Sequence, residues 1–244
     1  MAHIEEKQPM ALDDPVLVEG LPGVGLVGKL AADHLVEQLE MEYYAACHCD
    51  GLPDVAIYEE GERGIQPPVR IYADEQRDLL VLQSDVPVSP TAADEFSTCV
   101  TGWLAGQDAL PLYLSGLPEE KDGVPTLYGI GTGDADTLLA EHDIPVPTES
   151  GMVSGPTGAL LAEAGEQDLD SVGLVVQADA NFPDPEAARV FLKDGIGPLA
   201  GIDVATDKLV EQADKVAAAR ERLAKQMQEA EEESTRAQPL GMYQ

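Results

Sequence analysis

The feature that most constrains the fold is a regular alternation of short apolar runs with helix-like stretches between residues 16 and 200. Short runs rich in Val, Ile and Leu are typical of buried strands, whereas apolar residues three and four positions apart indicate helices. Strands that alternate with helices pack into a sheet covered by helices. The sequence therefore predicts an α/β core domain over residues 13–203, with three layers built around a mostly parallel or mixed sheet.

The predicted strands share a short length and apolar, often β-branched side chains, and they cover residues 16–19, 43–47, 55–58, 69–72, 79–83, 110–114, 126–130 and 171–178. The predicted helices lie between them, at residues 26–39, 90–103, 134–141 and 158–164. Another helix begins at Asp184, with Pro185 in its first turn. Thr91 is the expected N-cap of the second helix, because its hydroxyl can accept a backbone N–H bond.

The charge balance narrows the possible partners. Acidic residues number 46 against 14 basic ones, a formal net charge of −32. Such a surface repels the phosphates of nucleic acid, which is therefore not an expected partner. The hydrophobic content of 44% is that of a folded chain and not of a disordered one. We expect a halophilic source, because molar salt shortens the Debye length to about 3 Å and screens surface repulsion.

The apolar segments of the sequence also predict where in the cell the protein is located. The sequence has no run of about 18 apolar residues that could span a membrane. Its N-terminal residues do not show the basic and then apolar layout of a signal peptide. We therefore predict a cytoplasmic protein without membrane contact.

The three cysteines and four histidines suggest neither a disulfide framework nor a metal site. Cys47 and Cys49 flank His48, and Cys99 is the remaining thiol, so four thiolates for a structural zinc site are not available. Disulfides are rare in cytosolic proteins. The histidines show no ligand-like spacing. The sequence predicts buried structural cysteines and no metal.

Beyond residue 203 the pattern changes to one long amphipathic segment. Residues 206–234 contain no Pro or Gly, and apolar side chains recur along a narrow seam. We predict a helix over residues 204–236 and a flexible tail over 237–244, with residues 1–12 as a polar N-terminal segment. The seam lies either on the domain of its own chain or between subunits. The second interpretation assigns oligomer contacts to Leu209, Val216, Leu223 and Met227.

Residues 20–30, GLPGVGLVGKL, follow the first predicted strand and open a helix. Gly23, Gly25 and Gly28 match the G-x-G-x-x-G pattern of dinucleotide-binding turns, and Lys29 completes G-x-x-x-x-G-K of a phosphate-binding loop. The second pattern requires Ser or Thr after the lysine, and this chain has leucine there. Tight strand-to-helix turns also need glycine without any ligand. A nucleotide site and a structural turn both remain open.

The segment 16–39, VLVEGLPGVGLVGKLAADHLVEQL, strongly resembles the signature of the proteasome assembly chaperone 2 family in its archaeal form. Later segments are similar to the same family, and they are Asp78-Leu79-Leu80, Ser84-Asp85, residues 154–161 and Pro183-Asp184-Pro185. The resemblance implies a fold like that of nucleoside phosphorylases without their catalytic residues, and thus no enzyme activity and no cofactor. It implies homo-oligomers, alone or with a paralogue. Under this interpretation Gly23, Gly25 and Gly28 shape a turn and bind nothing.

The last three residues are Met242, Tyr243 and Gln244. They resemble the hydrophobic–tyrosine–X end that proteasome activators insert between α-subunits of the core particle. Methionine offers a flexible apolar side chain, tyrosine a flat ring with a polar tip, and the terminal carboxylate can pair with a lysine. We predict a non-enzymatic assembly chaperone or ATP-independent activator that docks this tail into the α-ring. The alternatives are a nucleoside- or nucleotide-handling enzyme that uses residues 23–29, and an oligomeric scaffold with an incidental tail.

Overall fold

The computed structural model describes residues 3–58, 61, 63–119, 121 and 123–211. Most of the predicted helix at 204–236, and the whole tail at 237–244, lie outside these residues. Within them, one mixed eight-stranded sheet is flanked by helices. None of the described helices is both long enough and apolar enough to cross a membrane.

The strands are β1 (His3–Glu6), β2 (Val16–Gly20), β3 (Glu42–His48), β4 (Val69–Asp74), β5 (Leu79–Ser84), β6 (Leu110–Pro118), β7 (Leu127–Thr132) and β8 (Ser171–Ala178). Their order across the sheet is β1-β3-β4-β5-β2-β6-β8-β7. The central strands β5, β2, β6 and β8 run parallel, whereas β1, β3 and β4 on one side and β7 on the other pair antiparallel. The prediction of a mixed sheet is confirmed.

The helices are α1 (Val27–Gln38), α2 (Ala93–Ala105), α3 (Ala135–Glu141), α4 (Gly155–Glu166), α5 (Pro185–Val190) and α6 (Gly197–Ala200). Successive strand residues point to opposite faces of the sheet. Val18 faces a core that also contains residues of α1, α3 and α5, and Leu17 faces a second core with residues of α2 and α4. Helices on both faces give the predicted three layers.

Three local predictions differ from the structure. Residues 55–58 form no strand, since only Ile57 makes an isolated bridge, to Gln66, and Tyr58 is 82% exposed. Thr91 does not cap α2, because a turn from Ser89 to Ala92 precedes the helix and the Thr91 hydroxyl lies 3.0 Å from that of Ser89. Strand β1 was not predicted, because its polar sequence carries no strand pattern and its pairing with β3 holds it in place.

The cysteine prediction is wrong for two of the three thiols. Cys49, just after β3, and Cys99 in α2 form a disulfide with a Cα–Cα distance of 6.1 Å. The two residues are 50 positions apart in the sequence, and they meet because α2 packs on the face of the sheet to which β3 contributes. Cys47 stays a free, buried thiol, and burial raises its pKa to about 12.

Candidate functional site

Apart from Asp78-Leu79-Leu80, which opens β5 at its amino end, the sequence segments that carry the family resemblance meet at the carboxyl ends of the parallel strands. This edge is where open α/β sheets usually place their sites. Five residues define what we call the carboxyl-edge cluster: Glu19, Lys29, Asp85, Thr157 and Asp184. Each of them joins one of the later segments to residues 16–39, or is part of residues 16–39 itself.

Glu19 lies where β2 and β6 separate. The two strands pair as far as Val18 and Leu112. Beyond that point the Leu114 N–H donates instead to Glu19 Oε2, at 2.9 Å. The other oxygen, Oε1, accepts from the Leu21 N–H at 3.2 Å and from the Thr157 hydroxyl at 3.1 Å. The carboxyl group of Glu19 therefore replaces a missing ladder bond and connects residues 154–161 to the first segment.

The Glu19 side chain is completely buried, with no exposed surface. Burial penalises the ionised form and raises the pKa of Glu19 from 4.5 to about 7, although the hydrogen bonds from Leu114, Thr157 and Leu21 oppose that shift. Glu19 was not among the predicted site residues. The signal that could have found it is an acidic residue inside the otherwise apolar run of β2.

The glycine segment forms a compact turn between β2 and α1. Gly25 has a φ of +61°, and a Cβ there would lie 3.2 Å from Ala178 Cβ and from Asp184 Cβ. Both the left-handed conformation and the close approach require glycine. Gly28 lies buried in the first turn of α1, beside Leu114. Gly23 is extended, and a Cβ there would meet nothing within 4 Å.

The residue after this turn carries a backbone cost. Leu26 has a φ of 51°, a left-handed conformation that is unfavourable for leucine by about 1 kcal/mol, and its side chain is 37% exposed. It immediately precedes α1 and takes the N-cap position without any side-chain cap bond. No pattern in the local sequence singles out Leu26.

Lys29 points to carboxylates of its own chain. Its Nζ lies 3.0 Å from the carboxylates of Asp33 and Asp85. Asp85 also binds Arg70, with 2.5 Å between Oδ2 and Nη1. Burial alone would raise the pKa of Asp85, but hydrogen bonds and charge attraction from Arg70 and Lys29 hold it below its usual value.

This environment disfavours the nucleotide interpretation of the loop. A phosphate-binding lysine must offer its ammonium to the ligand, whereas Lys29 is held by two carboxylates that would repel a phosphate. The geometry supports the structural interpretation of the glycine turn.

Asp184 fastens the turn from the other side. Its backbone N–H donates to Gly25 O at 2.8 Å. Its carboxylate accepts from the Ala187 N–H at 3.1 Å, which caps α5, and from the Asp179 N–H at 2.9 Å. Lys121 forms an ion pair with the same carboxylate. The prediction that a helix begins at Asp184 and Pro185 is confirmed.

The residues predicted to contact partners are mostly outside the described part of the chain. Residues 207–211 are helical. The Leu209 side chain is 1% exposed and lies in the core cluster that also contains residues of α1. Its side chain packs within its own chain, and the oligomer contact assigned to it stays a prediction. Val216, Leu223 and Met227, and the tail residues Met242, Tyr243 and Gln244, lie beyond residue 211.

Fold and site together define a class: a three-layer α/β protein in which the polar groups at the carboxyl edge bind one another and hold a glycine turn. Comparison with known proteins gives the family. The PAC2 family model matches residues 17–224, and the chain belongs to that family.

Several relatives share nearly the whole fold. A crystal structure of Pyrococcus furiosus PbaA, an archaeal homologue of proteasome-assembly chaperone, is 25% identical, has a TM-score of 0.78, and the match covers 95% of this chain and 96% of that one. Pyrococcus furiosus PbaB, an archaeal proteasome activator, is 22% identical with a TM-score of 0.76, and the match covers 91% of this chain and 98% of that one. At that level of identity the match shows a shared fold and no more. An uncharacterised protein of Methanocaldococcus jannaschii is 24% identical over 86% of both chains.

Proposed function

We propose that this protein is a non-enzymatic partner of the core proteasome, an assembly chaperone or an ATP-independent activator that docks its Met242-Tyr243-Gln244 end into pockets of the α-ring. The observation that carries the proposal is the similarity over 95% of the chain to PbaA, itself a homologue of a proteasome-assembly chaperone. The PAC2 family match over residues 17–224 supports it.

The chemistry of the last three residues supports the docking mode. Met242 is a flexible apolar side chain that can fill an irregular pocket, and Tyr243 adds a flat ring with one polar atom. The carboxylate of Gln244 can form a charge-assisted hydrogen bond with a lysine. One such tail binds weakly, so a homo-oligomer that presents several tails gains affinity from effective concentration.

The carboxyl-edge cluster supports a role without catalysis. Glu19, Lys29 and Asp184 all bind groups of their own chain. These bonds shape the turn instead of presenting the groups to a substrate. The proposal also places the protein in the cytoplasm of a halophilic cell, since a net charge of −32 is tolerated best where salt screens it.

The test is capture of core proteasome from the same kind of high-salt cytoplasm. Intact protein should retain core particles, while a form that lacks Met242–Gln244 and the Tyr243→Ala variant should lose at least about tenfold in capture. Tyr58→Ala is the matched control, because that tyrosine is 82% exposed in the folded domain. Its capture should be unchanged.

Peptide hydrolysis by the captured particles separates the two roles. Faster hydrolysis assigns an activator, and unchanged hydrolysis with capture of half-assembled particles assigns an assembly chaperone. Equal capture by the intact and truncated forms would refute the tail as the docking element. No capture by either form would refute the proposal as a whole.

A further inference from the structure

The edge of the sheet at β1 brings together two imidazoles and a carboxylate that are scattered in the sequence. His3 and His48 are directly opposite each other in the antiparallel β1–β3 pair. Their rings stack with centroids 5.1 Å apart. Glu5 is two residues along β1 from His3, so both side chains point to the same face of the strand. The three side chains therefore form one group on one face of the sheet edge.

The distances within this group suit a small cation. Glu5 Oε2 lies 3.4 Å from His48 Nε2. One ligand atom from each of His3, Glu5 and His48 can be chosen so that all lie within 4.8 Å of one another. In a tetrahedral zinc site, bonds of about 2.0–2.2 Å place ligand atoms about 3.3–3.5 Å apart. Exposed side chains can close the remaining gap by small rotations.

We propose that His3, Glu5 and His48 form a binding site for a divalent transition-metal ion, with zinc as the best fit. Two imidazole nitrogens and one carboxylate oxygen are ligands typical of zinc, whereas magnesium and calcium prefer sites made of oxygen atoms. Three protein ligands leave further coordination positions to water. The site is independent of the tail and of the glycine turn.

Lys7 competes for the same carboxylate. Its Nζ lies 2.6 Å from Glu5 Oε2, the oxygen that also faces His48. A bound metal ion must take that oxygen from the ammonium group and must bear its repulsion. Removal of the Lys7 charge is therefore expected to strengthen metal binding.

A metal ion at this site would clamp the edge strand to the sheet. Two of the ligands belong to β1 and the third to β3. Strand β1 is only four residues long and pairs with β3 on one side. A ligand that binds only the paired state stabilises it in proportion to the logarithm of its concentration.

The experiment is a zinc titration of the full chain without an affinity tag, in molar KCl with excess Mg²⁺. The salt and the magnesium suppress loose binding to the acidic surface. Competition with a chromophoric chelator gives the affinity, and the shift of the melting temperature with zinc reports the clamp. His3→Ala and His48→Ala should each weaken binding at least about tenfold and abolish the thermal shift. Lys7→Met should tighten binding.

His142→Ala is the matched control, because His142 is partly exposed at the end of α3, outside this group. Its affinity should equal that of the unchanged protein. Melting temperatures without zinc show whether each variant is folded. The proposal is overturned if folded His3→Ala and His48→Ala variants bind zinc as tightly as the unchanged chain, or if His142→Ala weakens binding equally.

Discussion

Glu19 and Asp85 are acidic residues at the same end of two neighbouring parallel strands, yet their surroundings differ in kind. The hydrogen bonds to Glu19 come from neutral donors, two backbone N–H groups and the Thr157 hydroxyl. Asp85 faces two cations, Arg70 and Lys29. Burial raises the pKa of Glu19 to about 7, whereas the two cations outweigh burial and lower the pKa of Asp85.

Position along a strand therefore does not decide the charge of a buried acid. Neutral dipoles compensate only part of the cost of burying a carboxylate, while a hydrogen-bonded cation compensates more. Both acids hold the same glycine segment, Glu19 through the Leu21 N–H and Asp85 through Lys29. We expect them to respond in opposite directions to pH.

We expect the largest effect when Arg70, the more deeply buried of the two cations that pair with Asp85, is removed. The Arg70 side chain is 4% exposed, and in Arg70→Met no guanidinium group compensates the negative charge of Asp85. Breaking a buried pair by removing one partner lowers the free energy of unfolding by about 3–5 kcal/mol, which urea denaturation in high salt would measure. Arg189→Met breaks the more exposed pair with Glu186, and we expect a loss of less than about 1 kcal/mol. Equal losses in the two variants would contradict the role of burial.

A somewhat smaller effect is expected from pH acting on Glu19. The folded-state pKa of about 7 exceeds the unfolded value of 4.5, so the folded state binds the proton more tightly. The contribution is fully present below pH 4.5 and is lost as the pH rises through 7, a change of about 3 kcal/mol. The difference in unfolding free energy between the unchanged protein and Glu19→Gln should decline across that window.

Asp85 provides the opposite case for the same measurement. Its folded-state pKa is lower than the unfolded value of 3.8. Its contribution is therefore present above pH 3.8 and is lost as the pH falls through the folded-state pKa. The difference between the unchanged protein and Asp85→Asn should be flat from pH 5 to pH 8. A decline there would show that Asp85 behaves like Glu19.

A modest effect is expected from the hydroxyl that bonds to Glu19. Thr157→Val keeps the side-chain shape and removes the donor to Oε1, with an expected loss of about 1–2 kcal/mol at pH 8 and less at pH 5. Because this bond lowers the pKa of Glu19, the pH range over which the contribution of Glu19 to stability is lost should also move to higher pH. Thr157→Ser keeps the donor and should preserve the window. Loss of equal size at both pH values would indicate altered packing instead of a lost bond to the ionised acid.

The smallest effect is expected at Lys29. Its side chain is 22% exposed, and Asp85 keeps Arg70 when Lys29 is removed. Lys29→Met should cost less than about 1 kcal/mol, and less still in molar salt. The same variant also tests the nucleotide interpretation of the loop. The shift of its melting temperature with ATP, or with a nucleoside plus phosphate, should match that of the unchanged protein. A nucleotide-induced shift that disappears in Lys29→Met would revive that interpretation.

The apolar periodicity of short stretches was sufficient to predict most of the strands and helices. The strand predicted at 171–178 matches β8 residue for residue, and the helix predicted at 26–39 is α1 with its ends trimmed. These elements carry strong apolar periodicity over their full length. The segment 55–58 has the composition of a strand but forms only one bridge, because no neighbouring strand pairs along it in the described chain.

The candidate site was recognisable only in part. The family segments pointed to the turn at Gly25, and a left-handed glycine can be anticipated between a strand and a helix. The partners of that turn could not be anticipated. Glu19 and Thr157 are 138 positions apart, and the pair forms because β2 and the start of α4 reach the same end of the sheet.

Periodicity and short motifs were enough to predict the α/β class, the succession of most strands and helices, and the resemblance to the family, since each depends only on residues within a short stretch. Tertiary structure alone decided that Cys49 meets Cys99, that His3 lies opposite His48, and that Glu19 is a buried acid with a raised pKa. The physical reason is that disulfides, ligand clusters and pKa values depend on distances through space and on burial. Those quantities are set by how the strands are ordered in the sheet, and the order is a property of the whole packed chain.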